Sequence, residues 1–224
     1  MTEIIPAVLP EDYQELREDL ALVHGLSSFV QIDICDGEFV PRLSWPYGEP
    51  ETFEKILAGE EGMPFWKEIQ FEADLMVSNP EDVIDDWINA GFSRMVIHYQ
   101  STNKLEDILD KLSEFQVECG IAIQIDDEPQ DLAPYIDKIG FVQCMGIENI
   151  GYQGEPFSQN VVHKIKKVRE IFPDILISVD GGVSLDTVER LSDAGARRLI
   201  SGSAILGAES PKEAFDAMRN LANK

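Results

Sequence analysis

Residues 175–203, ILISVDGGVSLDTVERLSDAGARRLISGS, hold the key to the fold. The stretch opens on an apolar β-rich run, Ile175–Val179, which ends in Asp180-Gly181-Gly182. A helical segment follows over Leu185–Ala194, with Ser184 placed as its N-cap. A second β-rich run, Arg198–Ser201, then ends in Gly202-Ser203. Strand, helix and strand in so short a space describe a βαβ unit, whose strands lie parallel.

Outward from this unit the same alternation fills the chain. Further strands are expected at Ile4–Leu9, Phe29–Ile34, Glu68–Val77, Arg94–His98, Cys119–Gln124 and Gly140–Gly146. Between them run segments with the 3-4 apolar rhythm of amphipathic helices: Asp12–His24, Glu81–Ala90, Lys104–Phe115, Ser158–Phe172 and Pro211–Leu221, the last capped by Ser210. Eight strands, each followed by a helix and without a linker, predict an α/β fold. The form expected is a closed (β/α)8 TIM barrel, with residues 1–224 as a single domain. A doubly wound sheet is the alternative, but Leu9-Pro10-Glu11-Asp12 stands where its glycine-rich first turn belongs.

Composition narrows the partners. With 44% hydrophobic and 27% charged residues the chain is an ordinary globular one, and no apolar run suits a membrane span. The three cysteines show no CxxC spacing, and no leader segment stands at the N-terminus, so a reducing, cytoplasmic location is expected. Forty-two acidic residues against 18 Lys and Arg give a net charge of −24. That field repels nucleic acid and anionic membranes, so neither is an expected partner. An anionic substrate needs local amide dipoles or a metal ion to offset it.

In a barrel of this type, chemistry belongs at the C-terminal strand ends. The second strand carries Gln31, Asp33 and Cys35 on one face, and a carboxylate among isoleucines is costly to bury alone. Asp36-Gly37 is read first as a turn. Asp74 lies in the apolar third strand, and Asp180 ends the seventh. Glycines follow the last three strands, at Gly151 and Gly154, at Gly181 and Gly182, and at Gly202 before Ser203. Their amides form an expected phosphate cradle. His98, at an apolar strand end, reads on its own as structural.

Four stretches resemble the ribulose-phosphate 3-epimerases over nearly the full length of the chain. They are Asp33-Ile34-Cys35-Asp36-Gly37-Glu38-Phe39-Val40-Pro41, Leu75-Met76-Val77-Ser78-Asn79-Pro80, Val179-Asp180-Gly181-Gly182-Val183 and Gly202-Ser203-Ala204-Ile205. The resemblance implies a ribulose-phosphate-binding barrel that epimerises a phosphorylated ketose through an enediolate. In it Asp33 and Asp180 act as acid and base, and the protein is a homo-oligomer. It also implies a divalent metal held by these aspartates and two histidines, yet Gln31 and Asp74 stand at the histidine positions. His98 matches a family histidine. The donors left are Gln31, Asp33, Asp74 and Asp180, all oxygen, which suit magnesium or manganese better than zinc. A metal-free site stays open as well. So do two other functions on the same barrel, a metal-dependent lyase and a non-catalytic phosphosugar-binding protein.

Overall fold

The structure is a computed structural model describing residues 1–152 and 154–224. Eight parallel strands pair in chain order: β1 (Glu3–Val8), β2 (Phe29–Cys35), β3 (Gln70–Met76), β4 (Arg94–His98), β5 (Glu118–Ile123), β6 (Phe141–Met145), β7 (Leu176–Asp180) and β8 (Arg198–Ser201). β8 pairs back onto β1, with Glu3 opposite Arg198 and Pro6 opposite Ser201, so the sheet closes and has no free edge. Closure is what separates this barrel from the doubly wound alternative, which keeps two edge strands. Outside it lie α1 (Tyr13–Val23), α2 (Pro50–Leu57), α3 (Ile84–Asn89), α4 (Leu105–Glu114), α5 (Asn160–Ile171), α6 (Val188–Ala194), α7 (Ser203–Leu206) and α8 (Pro211–Ala222). Among the described residues, no helix is long and apolar enough to cross a membrane.

Three details differ from the sequence-based expectation. β5 is followed by two 3₁₀ turns, Pro129–Leu132 and Ile136–Lys138, rather than by an α-helix. Pro129 suits the first position of a helical turn, but Pro134 denies the segment an amide hydrogen that a continuing α-helix needs. α2 lies outside the expected helical segments, although Pro50 occupies its first turn and Phe53 and Ile56 face inward. Ser184 does not cap α6, which starts later. The Ser184 amide instead donates to Thr187 Oγ1, and that hydroxyl donates to the Gly182 carbonyl. Ser210 caps α8 as expected, accepting from the Glu213 amide.

Strand alternation divides the apolar residues into two layers. Residues such as Ile32, Ala73, Ile97, Ile121, Val142 and Val179 point outward and pack under the helices. Their neighbours point into the barrel, where Cys35, Met76, Val96, Ala122, Phe141 and Met145 meet. The inward set is also where the charges sit. Toward the N-terminal end, buried Glu72 meets Arg94 at 3.1 Å, and Arg94 reaches Glu118 at 2.7 Å. Arg198 lies 3.5 Å from Glu118, over the ring of Phe141. This paired layer fills the lower barrel, so access to the interior comes from the opposite, C-terminal mouth.

Candidate active site

Toward that mouth β2, β3 and β7 each carry an inward carboxylate, Asp33 and Asp74 two residues before their strand ends and Asp180 at its own. Parallel pairing sets Asp33 directly beside Asp74, and Asp180 comes from across the barrel. Carboxylate oxygens of all three lie within 4.8 Å of one another. Asp33 is 7% exposed and Asp74 0%, while Asp180 opens partly to solvent. Gln31, one pleat below Asp33, ties two of them together. Its Nε2 donates to Asp33 Oδ1 and to Asp180 Oδ2, each at 2.8 Å. Asp74 has its own partners: His98 Nε2 at 3.0 Å from Oδ1, and Gln143 Nε2 donating to Oδ2 at 3.3 Å. Ser178 in turn donates to Gln143 Oε1 at 3.4 Å.

Burial raises the carboxyl pKa of Asp33 well above its usual range, and the charges of Asp180 and Asp74 raise it further. The hydrogen bond from Gln31 opposes them. Asp180 is raised for the same reasons, burial first and then Asp74. Negative charges so close repel one another, and a counter-charge relieves that repulsion. A proton can supply it, or a cation. The donor set fits a divalent cation, since one carboxylate oxygen from each of the three lies within 4.8 Å of the others and hard cations take oxygen ligands. Gln31 Oε1 adds a buried acceptor that has no hydrogen-bond partner among the described residues.

A cleft of about 360 Å³ opens above the acids. Asp33 and Asp180 line it, and so do Gly151, Gly154, Gly181, Gly182, Gly202 and Ser203. The sequence-based candidates are thus brought together, Gln31 and Asp74 lying beneath the lining rather than in it. No Lys or Arg is among the described lining residues. The β6–α5 loop straps the mouth: Gly151 packs on Val40, and Tyr152 Oη donates to the Pro41 carbonyl at 3.4 Å. Asp36 proves to be a turn residue, its carboxylate accepting from the amides of Glu38, Phe39 and Ser78.

Several residues of the site carry no sequence signal of their own. Gln143 lies in an apolar strand, and only its inward phase, shared with Met145, hints at its place. Ser44 is fully buried, donates to the Asp33 carbonyl and accepts from the Cys35 amide, so it pins the end of β2 from a distant loop. His98, read as structural, is the partner of Asp74.

Comparison with known proteins identifies the family. The model of the ribulose-phosphate 3 epimerase family matches residues 3–206. The chain is 31% identical over 224 residues to ribulose-phosphate 3-epimerase of Schizosaccharomyces pombe, covering 99% of this chain and 94% of that protein. It is 27% identical to the Bacillus subtilis protein of that name, over 98% of this chain and 99% of the other. Among solved structures, 3-hexulose-6-phosphate synthase from Salmonella typhimurium superposes with a TM-score of 0.73 at 15% identity. It covers 99% of this chain and 98% of its own, and at that identity it shows the shared barrel alone. By family match and by full-length similarity, the chain belongs to the ribulose-phosphate 3-epimerase family of enzymes.

Proposed function

We propose that this enzyme interconverts the C3 epimers of a phosphorylated ketose, D-ribulose 5-phosphate and D-xylulose 5-phosphate, with Asp33 and Asp180 as the proton-transfer pair. The observation that carries this reading is that both carboxyls, from opposite sides of the barrel, line the same cleft as the three glycine-bearing loops. Inverting a carbon beside a ketone requires a base on one face and an acid on the other. Mutual repulsion and burial favour a state in which one carboxyl of the pair holds a proton and the other is bare. The bare carboxylate takes the C3 proton, a planar enediolate forms, and the protonated partner returns a proton from the opposite side. Whichever aspartate begins as base, the reverse reaction exchanges their roles.

The phosphate sits on backbone amides near Gly181, Gly182, Gly202 and Ser203, with Gly151 and Gly154 above it. With no basic side chain among the described lining residues, amide dipoles answer its charge. Asp33, Asp74 and Asp180 would hold a divalent cation, magnesium or manganese in preference to zinc because every donor is oxygen, and such an ion stabilises the developing oxyanion as a Lewis acid. His98 and Gln143 hold the Asp74 carboxylate in place beneath the reacting atoms. Family membership also supports a homo-oligomer, and three buried free cysteines accord with a reducing cytoplasm.

The decisive experiment is deuterium wash-in at C3 of ribulose 5-phosphate in D₂O with Mg²⁺ or Mn²⁺. Exchange that disappears in Asp33→Asn and in Asp180→Asn is expected. Absence of exchange across ketopentose and ketohexose phosphates would sink the proposal.

A further inference from the structure

Gln31 lies fully buried at the floor of the acidic site, and its two ends are treated unequally. The nitrogen end is saturated: Nε2 has two hydrogens, and both go to carboxylates, Asp33 Oδ1 and Asp180 Oδ2 at 2.8 Å each. The oxygen end has no hydrogen-bond partner among the described residues, although the residue is 0% exposed. A carboxamide so placed has a clear electrostatic preference. Without a cation, its N–H dipoles face the negative cluster, and a half-turn would set the carbonyl dipole against the bare carboxylate. A divalent cation among Asp33, Asp74 and Asp180 reverses both signs, repelling the N–H end and attracting the carbonyl. The two ends of a carboxamide are close in size, so a half-turn changes the shape of the side chain little.

We infer that Gln31 is a cation-responsive clamp on the acid–base pair. In the cation-free protein its amide nitrogen cross-links Asp33 to Asp180 and keeps the site assembled. When the cation enters, the amide turns over and presents Oε1 to it. A neutral side chain thus serves as a stand-in for the ion and as its ligand in turn. The inference rests on the proposed cation site, and it concerns Gln31 alone.

Two measurements test it, neither of which is turnover. In uniformly ¹⁵N,¹³C-labelled protein freed of metal, the Gln31 side-chain NH₂ is assigned through its own backbone, which requires no variant. Its two protons should be shifted downfield and slow to exchange, and they should lose both properties as Mg²⁺ is added. In parallel, Mn²⁺ affinity is read by electron paramagnetic resonance for the wild type and for Gln31→Met, which keeps length without the amide. The variant should bind about 10- to 100-fold more weakly, the range for losing a group that supports a metal site. If Mn²⁺ binds the wild type but the Gln31 amide signals stay fixed, the clamp is wrong and the cation site stands. Equal Mn²⁺ affinity in Gln31→Met would likewise rule out the clamp and leave the cation site intact. If the wild type binds neither ion, the cation site falls and the clamp falls with it. Should Gln31→Met fail to fold, the amide signals of the wild type decide alone.

Discussion

Asp33 and Asp180 occupy positions where ionisation opposes folding, because burial and neighbouring carboxylates hold both pKa values well above the ordinary range. Removing either charge should therefore leave the metal-free protein at least as stable at pH 7 as before. Asp33→Asn and Asp180→Asn should unfold at an equal or higher urea concentration than the wild type, while turnover falls about 10²- to 10⁴-fold, as for loss of a general acid or base. A clear loss of stability would mean that a partner holds the charge in place. Glu72, one pleat below Asp74, adds a pH dependence of definite sign. Burial raises its pKa from 4.5 to about 7, with Arg94 and Arg198 pulling the other way. The folded state thus binds this proton more tightly than the unfolded chain. Its contribution to stability is complete below pH 4.5 and is lost as the pH rises through about 7. Asp33 and Asp180, also raised, act in the same direction. Urea midpoints of chelator-treated protein should fall across that window, and a midpoint that rose with pH would contradict these burial effects.

At the scale of elements, the loop from β7 to α6 shows how backbone conformation shapes the proposed phosphate subsite. Gly182 has φ +68°, and a Cβ there would lie 2.9 Å from the Phe157 backbone. Thr187 then ties the Gly182 carbonyl down through its hydroxyl at 2.8 Å. Gly182→Ala should cost about 1–2 kcal/mol for the left-handed backbone alone. It should also raise KM for the phosphate ester, since Phe157 and the loop amides would have to part. Steady-state kinetics beside urea denaturation separate the two effects. An unchanged KM would show that the phosphate lies elsewhere in the cleft. The β2 end is held differently, by Ser44 bonding to Cys35 and Asp33 backbone groups, so the strand that carries Asp33 does not depend on its own turn for position.

The whole molecule carries a net charge of −24, and that charge opposes both compaction and the approach of an anionic substrate. Salt screens such repulsion, the Debye length falling from about 10 Å at 0.1 M to about 3 Å at 1 M. Thermal midpoint should therefore climb as NaCl is raised from 0.1 to about 1 M, and KM for a sugar phosphate should not worsen as it does where basic residues attract the ligand. Differential scanning calorimetry and kinetics in the same salt series test both. A midpoint that declined with salt would show that attractive pairs, such as those of Arg94 and Arg198, outweigh the net repulsion.

The barrel is legible in the chain alone, because apolar strands and amphipathic helices alternate with periods set by covalent geometry. Asp33, Asp74 and Asp180 stand out in the same way, since a lone carboxylate in an apolar strand calls for a reason wherever the strand ends up. Phase along a strand gives their direction, as Gln31, Asp33 and Cys35 alternate with outward isoleucines. Local pattern fails where a partner lies far off in the chain. Nothing around His98 announces Asp74, nothing around Gln143 announces either, and Ser184 reads as a cap although Thr187 takes its amide. Closure of the barrel decides the rest. Only when β7 meets β2 across the mouth does one amide of Gln31 touch both Asp33 and Asp180, and charge repulsion between strands far apart in sequence becomes a property of a single site.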